Sequence, residues 1–552
     1  MKPTGSGFAV LMGAWFVSAV GLVNAEGAPS ISVPGGPERG AKIYAEKCLL
    51  CHQASGQGAP PVYPPLAGSD WLVEKREEVI RALCEGLSGR VVVNGREYEN
   101  GMPAQVLDDG EVADVLSFVG SSWGNSAAGF TAGEVAAVRA KSRFKTYAAL
   151  VKAGAYQALP QAPEGWSLRE VVQLPQFCTR LVGRAGEFYV LGQDGSVFAL
   201  DLAGALTPLV RPGDYAQAGV GVALGAALDA EGRLYVVTNR KVDAEPVLLN
   251  EVVVWRTEGA FKGGASPLKE WLKTNYPHGV GGMNHGVSHM AFGPDGMLYI
   301  SSGSRTDSGE STEKPGYFKG GEVELTAALW RVDPGAAQPR VEVIARGIRN
   351  PYGFAWDGAG NLFTASNGPD YSAPEEVDFI VPGAHYGFPY QFADWPAREG
   401  FPYPHTPAAP AGVKFRAPVV NLGPAGGGSA DAPLSTLDAH SCPGGLLWCG
   451  PEYPEPLGNS FVMTRFGNLL GAPAAPVDVG FDVLVCRMEQ RPDGNWQMRA
   501  RTLLAPLGRP IDVLAAGAGR VLVLEYTRPT NFKEGAGWLP GRILELAPVR
   551  PH

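Results

Sequence analysis

Long basic runs are absent from this chain, and its formal net charge is −9, so nucleic acid is not an expected partner. Apolar runs long enough to span a bilayer are also absent after residue 25. Histidine is scarce: there are eight in 552 residues, and none lies between His52 and His278. Methionine is scarcer still near the start, where Met102 is the one methionine between residues 26 and 150. Cysteine numbers seven, an odd count that leaves at least one thiol outside any internal pairing. Disorder is excluded by a hydrophobic content of 45%, and the length allows two to four domains.

What is present begins at the amino terminus. Lys2 precedes an apolar stretch from Phe8 to Val23, closed by the small-residue site Val23-Asn24-Ala25. Residues 1–25 therefore read as a cleaved signal peptide, and the mature chain is expected to be periplasmic or secreted. The alternative, a membrane anchor, is disfavoured by the shortness of the run and by Gly13, Ser18 and Gly21 within it.

The most specific signal follows at Cys48-Leu49-Leu50-Cys51-His52. Two thiols one helical turn apart suit thioether bonds to the two vinyl groups of one porphyrin edge, and the next histidine suits axial ligation of iron. Cys48 and Cys51 are thus expected to hold haem c covalently, with His52 on the iron. Met102 is the expected second axial ligand, since no other thioether or imidazole is near in sequence. Export suits such haem, which bacteria attach outside the cytoplasm. The other five cysteines are Cys84, Cys178, Cys442, Cys449 and Cys486. A Cys442–Cys449 disulfide is one option in an oxidising compartment, and small buried apolar side chains are the other.

Around the motif the apolar spacing is helical. One helix is expected from about Pro37 into the motif, carrying Ile43 and Tyr44, and a Pro/Gly loop from Gln53 to Leu66. A second helix is expected over Glu74–Leu87, with Val79, Ile80 and Leu83 on one face. Asp108 and Glu111 form a capping-box pair opening a third, with Val112, Val115, Leu116 and Val119 at i, i+3, i+4, i+7. Thr131 and Glu134 open a helix to about Arg143, read with residues up to 165 as the connection between domains.

After Gly165 the texture changes to short β-branched strands separated by turns. A repeat is visible in Leu181–Val190, Leu224–Val237, Val287–Ile300, Tyr352–Ala365, Pro443–Thr464 and Ile511–Glu525. Turns at Asp194-Gly195, Glu231-Gly232, Gly293–Gly296 and Asp357–Gly360 punctuate it. Third strands are expected at Val252–Trp255, Ala328–Val332, Asp482–Arg487 and Arg542–Leu546, and long insertions at Val242–Val280 and Pro389–Leu437. Six units suggest a six-bladed β-propeller over a pair of sandwiches. The chain is therefore expected to be multidomain: signal peptide 1–25, an all-α cytochrome c domain at 36–130, a linker with a helix at 131–165, and an all-β propeller at 166–550.

Several stretches resemble one family. They are Arg349-Asn350-Pro351-Tyr352-Gly353-Phe354-Ala355-Trp356, then Asn367-Gly368-Pro369-Asp370, Glu375-Glu376-Val377-Asp378 and Pro382 to Pro389. With them go His285 to Tyr299 and, more loosely, His440 to Trp448. Residues 170–548 resemble the soluble quinoprotein sugar dehydrogenases, which include glucose, aldose-sugar and sorbosone dehydrogenases. Residues 36–145 resemble the class I cytochrome c module fused to such enzymes, with Gly101-Met102-Pro103 as its methionine loop. The resemblance implies pyrroloquinoline quinone (PQQ) and calcium. It implies His285 as general base, Arg349 against the quinone oxygen and Asn350 hydrogen-bonded to the cofactor. It implies Gly368 and Pro369 as backbone ligands of calcium, with Arg465, Arg509 and His440 as further PQQ contacts. Glu375, Glu376 and Asp378 read either as a second ion site or as a solvated acidic turn. Tyr352, Asn284 and His289 depart from residues common in relatives.

The function these features imply is a periplasmic dehydrogenase that oxidises a sugar, polyol or related aldehyde and passes electrons to its own haem, then to a downstream cytochrome or oxidase. The alternative is a non-catalytic propeller that binds carbohydrate or protein and carries an electron-transfer cytochrome.

Overall fold

The structure is a computed structural model. It describes residues 36–58, 63–85, 87, 90–99, 102, 105, 107–141, 158–184, 186–279, 284–369, 373–393, 408–426, 437–468, 479–527 and 540–549. The segment read as a signal peptide lies outside the described residues, as do the loop positions Gly101 and Pro103 beside Met102.

The first core is helical. It is built from α1 (Pro37–Lys47), α2 (Leu49–His52), α3 (Trp71–Glu74), α4 (Arg76–Glu85), α5 (Asp109–Ser121) and α6 (Ala132–Lys141). Pro37 suits the first turn of α1, where its missing N–H has no intrahelical partner to lose. The expected capping box of α5 is complete: Glu111 N–H donates to Asp108 Oδ1 (2.8 Å) and Asp108 N–H donates to Glu111 Oε2 (2.9 Å). Val112, Val115, Leu116 and Val119 of α5 are all buried, each stabilising the fold by about 1.5–3 kcal/mol relative to exposure. Helices α1 and α5 cross closely at Gly40, where a Cβ would lie 2.1 Å from the Asp114 carbonyl oxygen. Arg39 pairs with the Asp114 carboxylate beside that crossing.

Three features of this region differ from expectation. The helix expected over Glu74–Leu87 is broken at Lys75 into α3 and α4, and Leu87 leaves it to bridge with Met102. A hairpin pairs Arg90–Val93 with Arg96–Glu99 around Asn94-Gly95, both in the left-handed region (φ 51° and 73°). Helix α6, expected within the connection, buries Val135 and Val138 in the first core.

The second region is a six-bladed β-propeller. Its inner strands are Cys178–Arg184, Val222–Leu228, Val287–Phe292, Pro351–Trp356, Pro443–Cys449 and Pro510–Gly517, one per sheet, and each packs against the next around a closed ring. The last blade is completed by the first strand of the region: Trp166–Gln173 pairs antiparallel with Arg542–Pro548. This pairing ties the two ends of the propeller segment into one blade and so closes the ring. Inner strands approach too closely for side chains in places; a Cβ on Gly353 would lie 2.0 Å from the Gly444 carbonyl oxygen.

The six repeats fall on six blades, with local corrections. Asp194-Gly195 joins the second and third strands of its blade, whereas the other three turns join the first and second. Within residues 242–280, expected as an insertion, the third strand expected at Val252–Trp255 is present as Leu249–Thr257, and Leu268–Pro277 adds a fourth strand to the second blade. The expected insertion at 389–437 lies partly outside the described residues. Within its described part, Val420–Asn421 crosses to pair in parallel with Trp496–Leu504 at the outer edge of the fifth blade. A Cys442–Cys449 disulfide does not form, because the seven-residue strand Pro443–Cys449 separates the two by roughly 20 Å.

The propeller axis is filled. Arg180, 1% exposed, donates to the Leu224 carbonyl (2.8 Å), the Tyr352 carbonyl (2.6 Å) and the Asp512 carboxylate (3.2 Å). Its guanidinium also lies 4.3 Å from the Tyr352 ring centroid. A ligand at the axis must therefore approach from one end rather than pass through.

Candidate functional site

In the first domain, an apolar pocket is lined by Cys48, His52, Leu72, Met102, Val115 and Leu116, among others. Cys51 follows in α2, on the same short helix as His52. The His52 ring is buried, and its Nδ1 lies 3.0 Å from the Pro64 carbonyl oxygen. A carbonyl can only accept, so Nδ1 carries the proton and Nε2 keeps the lone pair that an iron ligand needs. Burial lowers the imidazole pKa, with the Pro64 carbonyl acting the other way, which favours the neutral ligand form. Met102 is fixed by reciprocal backbone hydrogen bonds with Leu87 (2.8 and 2.9 Å). The donor set, the apolar walls and the cavity together fit haem c.

In the propeller, the candidate residues gather at one axial end. His285, Arg349-Asn350, His440 and Arg509 each lie just before an inner strand. The chain enters those strands from the same end of the ring, so residues far apart in sequence converge there. Backbone bonds tie them together. His285 N–H donates to the Ser304 carbonyl (3.0 Å), Ser304 N–H to the Arg349 carbonyl (2.7 Å), and Asn367 N–H to the Asn350 carbonyl (3.1 Å). A Cβ on Gly303 would lie 2.5 Å from His285 Cβ and 2.8 Å from Asn350 Oδ1, so those two side chains meet over a bare backbone.

The His285 ring has a defined orientation. Its Nδ1 lies 3.1 Å from both the carbonyl and the hydroxyl oxygen of Ser304. Ser304 donates its own proton to the Thr306 carbonyl (2.8 Å), so it accepts from Nδ1–H and Nε2 is the basic atom. Arg349 is 2% exposed. Its Nε donates to the Asp307 carbonyl (2.9 Å), one terminal nitrogen to the Asp307 carboxylate (2.6 Å) and the other to the Asn367 carbonyl (3.1 Å).

Glu375 knits the next part together. Its carboxylate accepts from Gly368 N–H (2.5 Å) and Cys442 N–H (3.3 Å), which brings the Gly368-Pro369 turn to the His440–Cys442 segment. Burial pushes the Glu375 carboxyl up to about 7, and the backbone N–H donors and Arg349 act in the other direction. His440 and Cys442 both hold left-handed backbone (φ 63° and 50°), uncommon for residues with a Cβ. Glu376 and Asp378 are 1% exposed, which excludes a solvated acidic turn. Burial pushes both carboxyls up, and each adds repulsion to its surroundings or feels a neighbour: Asp378 raises Glu376, while Arg416 lowers Asp378.

The two further arginines differ. Arg465 is matched by carboxylates, with Asp482 at 2.8 and 2.6 Å and Asp438 at 3.2 Å. Arg509 instead donates to two carbonyls, Gly467 (3.0 Å) and Asn468 (2.8 Å), and lies against the rings of Phe466 and Phe481. Burial drops its pKa to about 9, with the Cys442 thiol acting the other way. An anion placed there would relieve that cost.

Buried polar atoms without a hydrogen-bond partner among the described residues mark what the site would hold. Asn350 Oδ1 and Asn367 Oδ1 are two, and Glu376 Oε2 and both Asp378 carboxylate oxygens are others. The first pair sits beside His285 and Arg349, and fits a polar planar ligand such as PQQ. The second set offers hard oxygen donors, which fit a cation such as calcium. Among the described residues no group of three or more His, Cys, Asp and Glu side chains could hold a metal, so backbone oxygens would have to complete any such shell.

Reading the sequence missed Ser304 and Asp307, polar loop residues with no motif of their own, and placed Asn367 in a motif without giving it a role. It also missed Tyr526, whose ring stacks on Phe177 (4.8 Å) and whose N–H donates to the Arg509 carbonyl (2.8 Å). The Tyr526 phenol pKa is raised, first by burial, then by Tyr352, with Tyr63 of the helical domain acting in the same direction.

A helical domain with a haem-fitting cavity, joined to a propeller with convergent polar groups at one end of its axis, defines a fused electron-transfer and oxidoreductase chain. Comparisons agree. Residues 37–123 match the Cytochrome c family model, and residues 169–415 match that of Glucose / Sorbosone dehydrogenase. Cytochrome c-552 of Thermus thermophilus is 42% identical over 112 residues, 18% of this chain and 85% of that protein. The cytochrome c subunit of a quinone alcohol dehydrogenase from Gluconacetobacter polyoxogenes is 32% identical over 118 residues, 20% of this chain and 23% of that protein. Among solved structures, PQQ-bound aldose sugar dehydrogenase from Streptomyces coelicolor is 21% identical (TM-score 0.45), with 70% of this chain and 99% of that one covered. The apo-form enzyme from Escherichia coli is 15% identical (TM-score 0.44), with 69% and 99% covered. The chain belongs to the cytochrome c family and joins that domain to a glucose/sorbosone dehydrogenase domain.

Proposed function

We propose that this protein is an exported, PQQ-dependent dehydrogenase that oxidises a sugar or related polyol or aldehyde and passes the electrons to its own haem c. The observation that carries this reading is the convergence of His285, Arg349 and Asn350 at one axial end, around Gly303 and Ser304.

PQQ, when bound, supplies a two-electron acceptor. His285 Nε2, with Nδ1–H held by Ser304, is oriented to take a proton from a substrate hydroxyl. Arg349 holds a fixed positive charge in a nearly water-free position, where it would stabilise developing negative charge. Asn350 and Asn367 offer buried acceptor oxygens, and Arg509 offers a cation to a carboxylate. Arg465 has its charge already balanced and is given no such role. Calcium would be held by backbone oxygens of Gly368 and Pro369, and Glu376 and Asp378 would offer hard donors to a second ion. His440 lies beside these groups through Glu375. His52 and Met102 would ligate the haem iron, with Cys48 and Cys51 bonded to the porphyrin edge. Export is supported by the amino-terminal signal-like segment, and no described helix is long and apolar enough to cross a membrane.

The test is reconstitution. Protein purified without PQQ is given PQQ and calcium, and sugar-dependent reduction of a dye is measured. Turnover that requires both additions is expected. Absence of turnover across hexoses, pentoses, polyols and sorbosone would leave the propeller as a binding module.

A further inference from the structure

Residues 303–308 leave the second strand of the third blade and pass the two groups that matter most to the proposed chemistry. Ser304 fixes the His285 ring, and three residues later Asp307 grips Arg349. The grip is two-handed. The Asp307 carbonyl takes the Nε proton at 2.9 Å, and its carboxylate takes one from the adjacent terminal nitrogen at 2.6 Å. The Asn367 carbonyl takes one from the other terminal nitrogen at 3.1 Å. Among the described residues, three of the five N–H bonds of this planar fork are therefore used by groups that set its plane.

The gripping segment is itself anchored. Asp307 N–H donates to Glu310 (2.9 Å), and the N–H groups of Arg305 and Thr306 donate to Glu322 (3.1 and 2.9 Å). Arg305, 1% exposed, ties the segment to the carbonyls of Pro277 (2.9 Å) and His278 (3.2 Å) in the neighbouring blade. Asp307 is thus a fixed carboxylate, with its side chain 13% exposed.

We propose that Asp307 is a positioning residue of the oxidation site, acting through Arg349. The proposal rests on the PQQ reading given above. Its carboxylate does two things with opposite signs. It holds the guanidinium in one orientation, which favours turnover. It also offsets part of the positive charge, which weakens the pull on an anionic cofactor. A residue that served the fold alone would not separate these effects.

The separation is the test. PQQ affinity is measured by equilibrium titration of tryptophan fluorescence in the calcium-loaded protein, alongside steady-state kinetics and thermal unfolding. Asp307→Ala is expected to lower kcat about 30-fold, with sugar KM changed less than about twofold, because a misplaced group costs rate more than substrate binding. The same variant is expected to bind PQQ about threefold more tightly, since a tricarboxylate meets a less neutralised cation. Asp307→Asn, which keeps an acceptor oxygen, is expected to recover most of kcat. In an Arg349→Lys background Asp307→Ala is expected to change kcat less than about threefold, the mark of action through Arg349. Unchanged kcat in Asp307→Ala, equal losses in both backgrounds, or weaker PQQ binding with a lower Tm would each overturn the proposal. Failure of the unmodified protein to bind PQQ would overturn the parent reading and this one together. Normal PQQ binding and turnover in both proteins would overturn this one alone.

Discussion

The haem domain and the axial end of the propeller assemble their chemistry in opposite ways. In the first, Cys48, Cys51 and His52 lie within five consecutive residues, and one methionine completes the set. In the second, His285 and Arg509 are more than two hundred residues apart and meet only because each precedes an inner strand. A local motif states its chemistry directly. A site made by ring closure states it only once the blades are in register. The supports differ accordingly: one backbone carbonyl, that of Pro64, orients His52, whereas His285 and Arg349 depend on a shared loop, 303–308.

The largest expected effect would break the propeller side alone. His285→Ala should lower sugar turnover by about 10²–10⁴-fold while PQQ still binds, because general-base assistance is worth that much and His285 is not a cofactor cation. Arg349→Ala should lower both turnover and PQQ affinity. Near-full turnover in His285→Ala, measured by dye reduction after reconstitution, would make the histidine structural.

Met102→Ala should act on the haem side alone. Loss of a thioether ligand lowers the haem reduction potential and removes the spectral signature of methionine-ligated ferric haem, leaving dye-linked oxidation intact. An unchanged spectrum and potential would remove Met102 from the iron.

The smallest effect sharpens the role of the loop. Burial raises the pKa of Glu322, which anchors residues 305 and 306, while Thr306, Thr326 and Arg305 act against that rise. A carboxyl raised in the fold contributes stability that is fully present below its unfolded value of about 4.3 and is lost as pH rises through the folded value. Tm of Glu322→Gln relative to the unmodified protein should therefore climb as pH rises above about 4.3 towards the raised folded value. Parallel curves in calorimetry would show that Glu322 does not titrate on unfolding.

The fold was largely legible. Helix α5 was marked by its capping box and apolar spacing, and six turn-linked strand pairs marked six blades. Its errors have physical causes. The hairpin at 90–99 carried the Asn94-Gly95 pair that favours a two-residue turn, yet the run beside it is short and charged. The third strand of the second blade was marked by Val252–Trp255, whereas the fourth, Leu268–Pro277, mixes charged and apolar residues as a strand with a wet face does, and read as an insertion. Helix α6 was visible, but nothing local says which core takes Val135 and Val138. At the site, His285, Arg349 and Asn350 were found through a family resemblance. Ser304 and Asp307 were not, because their meaning comes from contacts made across the blade. Arg465 and Arg509 looked equivalent in sequence. Only the neighbouring carboxylates Asp438 and Asp482 tell them apart.

The central claim is that the two regions work as one electron path inside one chain. The haem-fitting cavity beside His52 and the convergence of His285, Arg349 and Asn350 lie in one chain, joined through residues 131–165. The most direct measurement is stopped-flow reduction of the haem after sugar is added to the protein reconstituted with PQQ and calcium. A tether gives an effective concentration of order mM, so the observed rate should stay constant over a wide dilution of the protein. Replacing Cys48 and Cys51 with alanine should abolish the haem signal and spare dye reduction. A haem reduction rate that instead scales with protein concentration would mean that electrons pass between molecules, and would contradict the account.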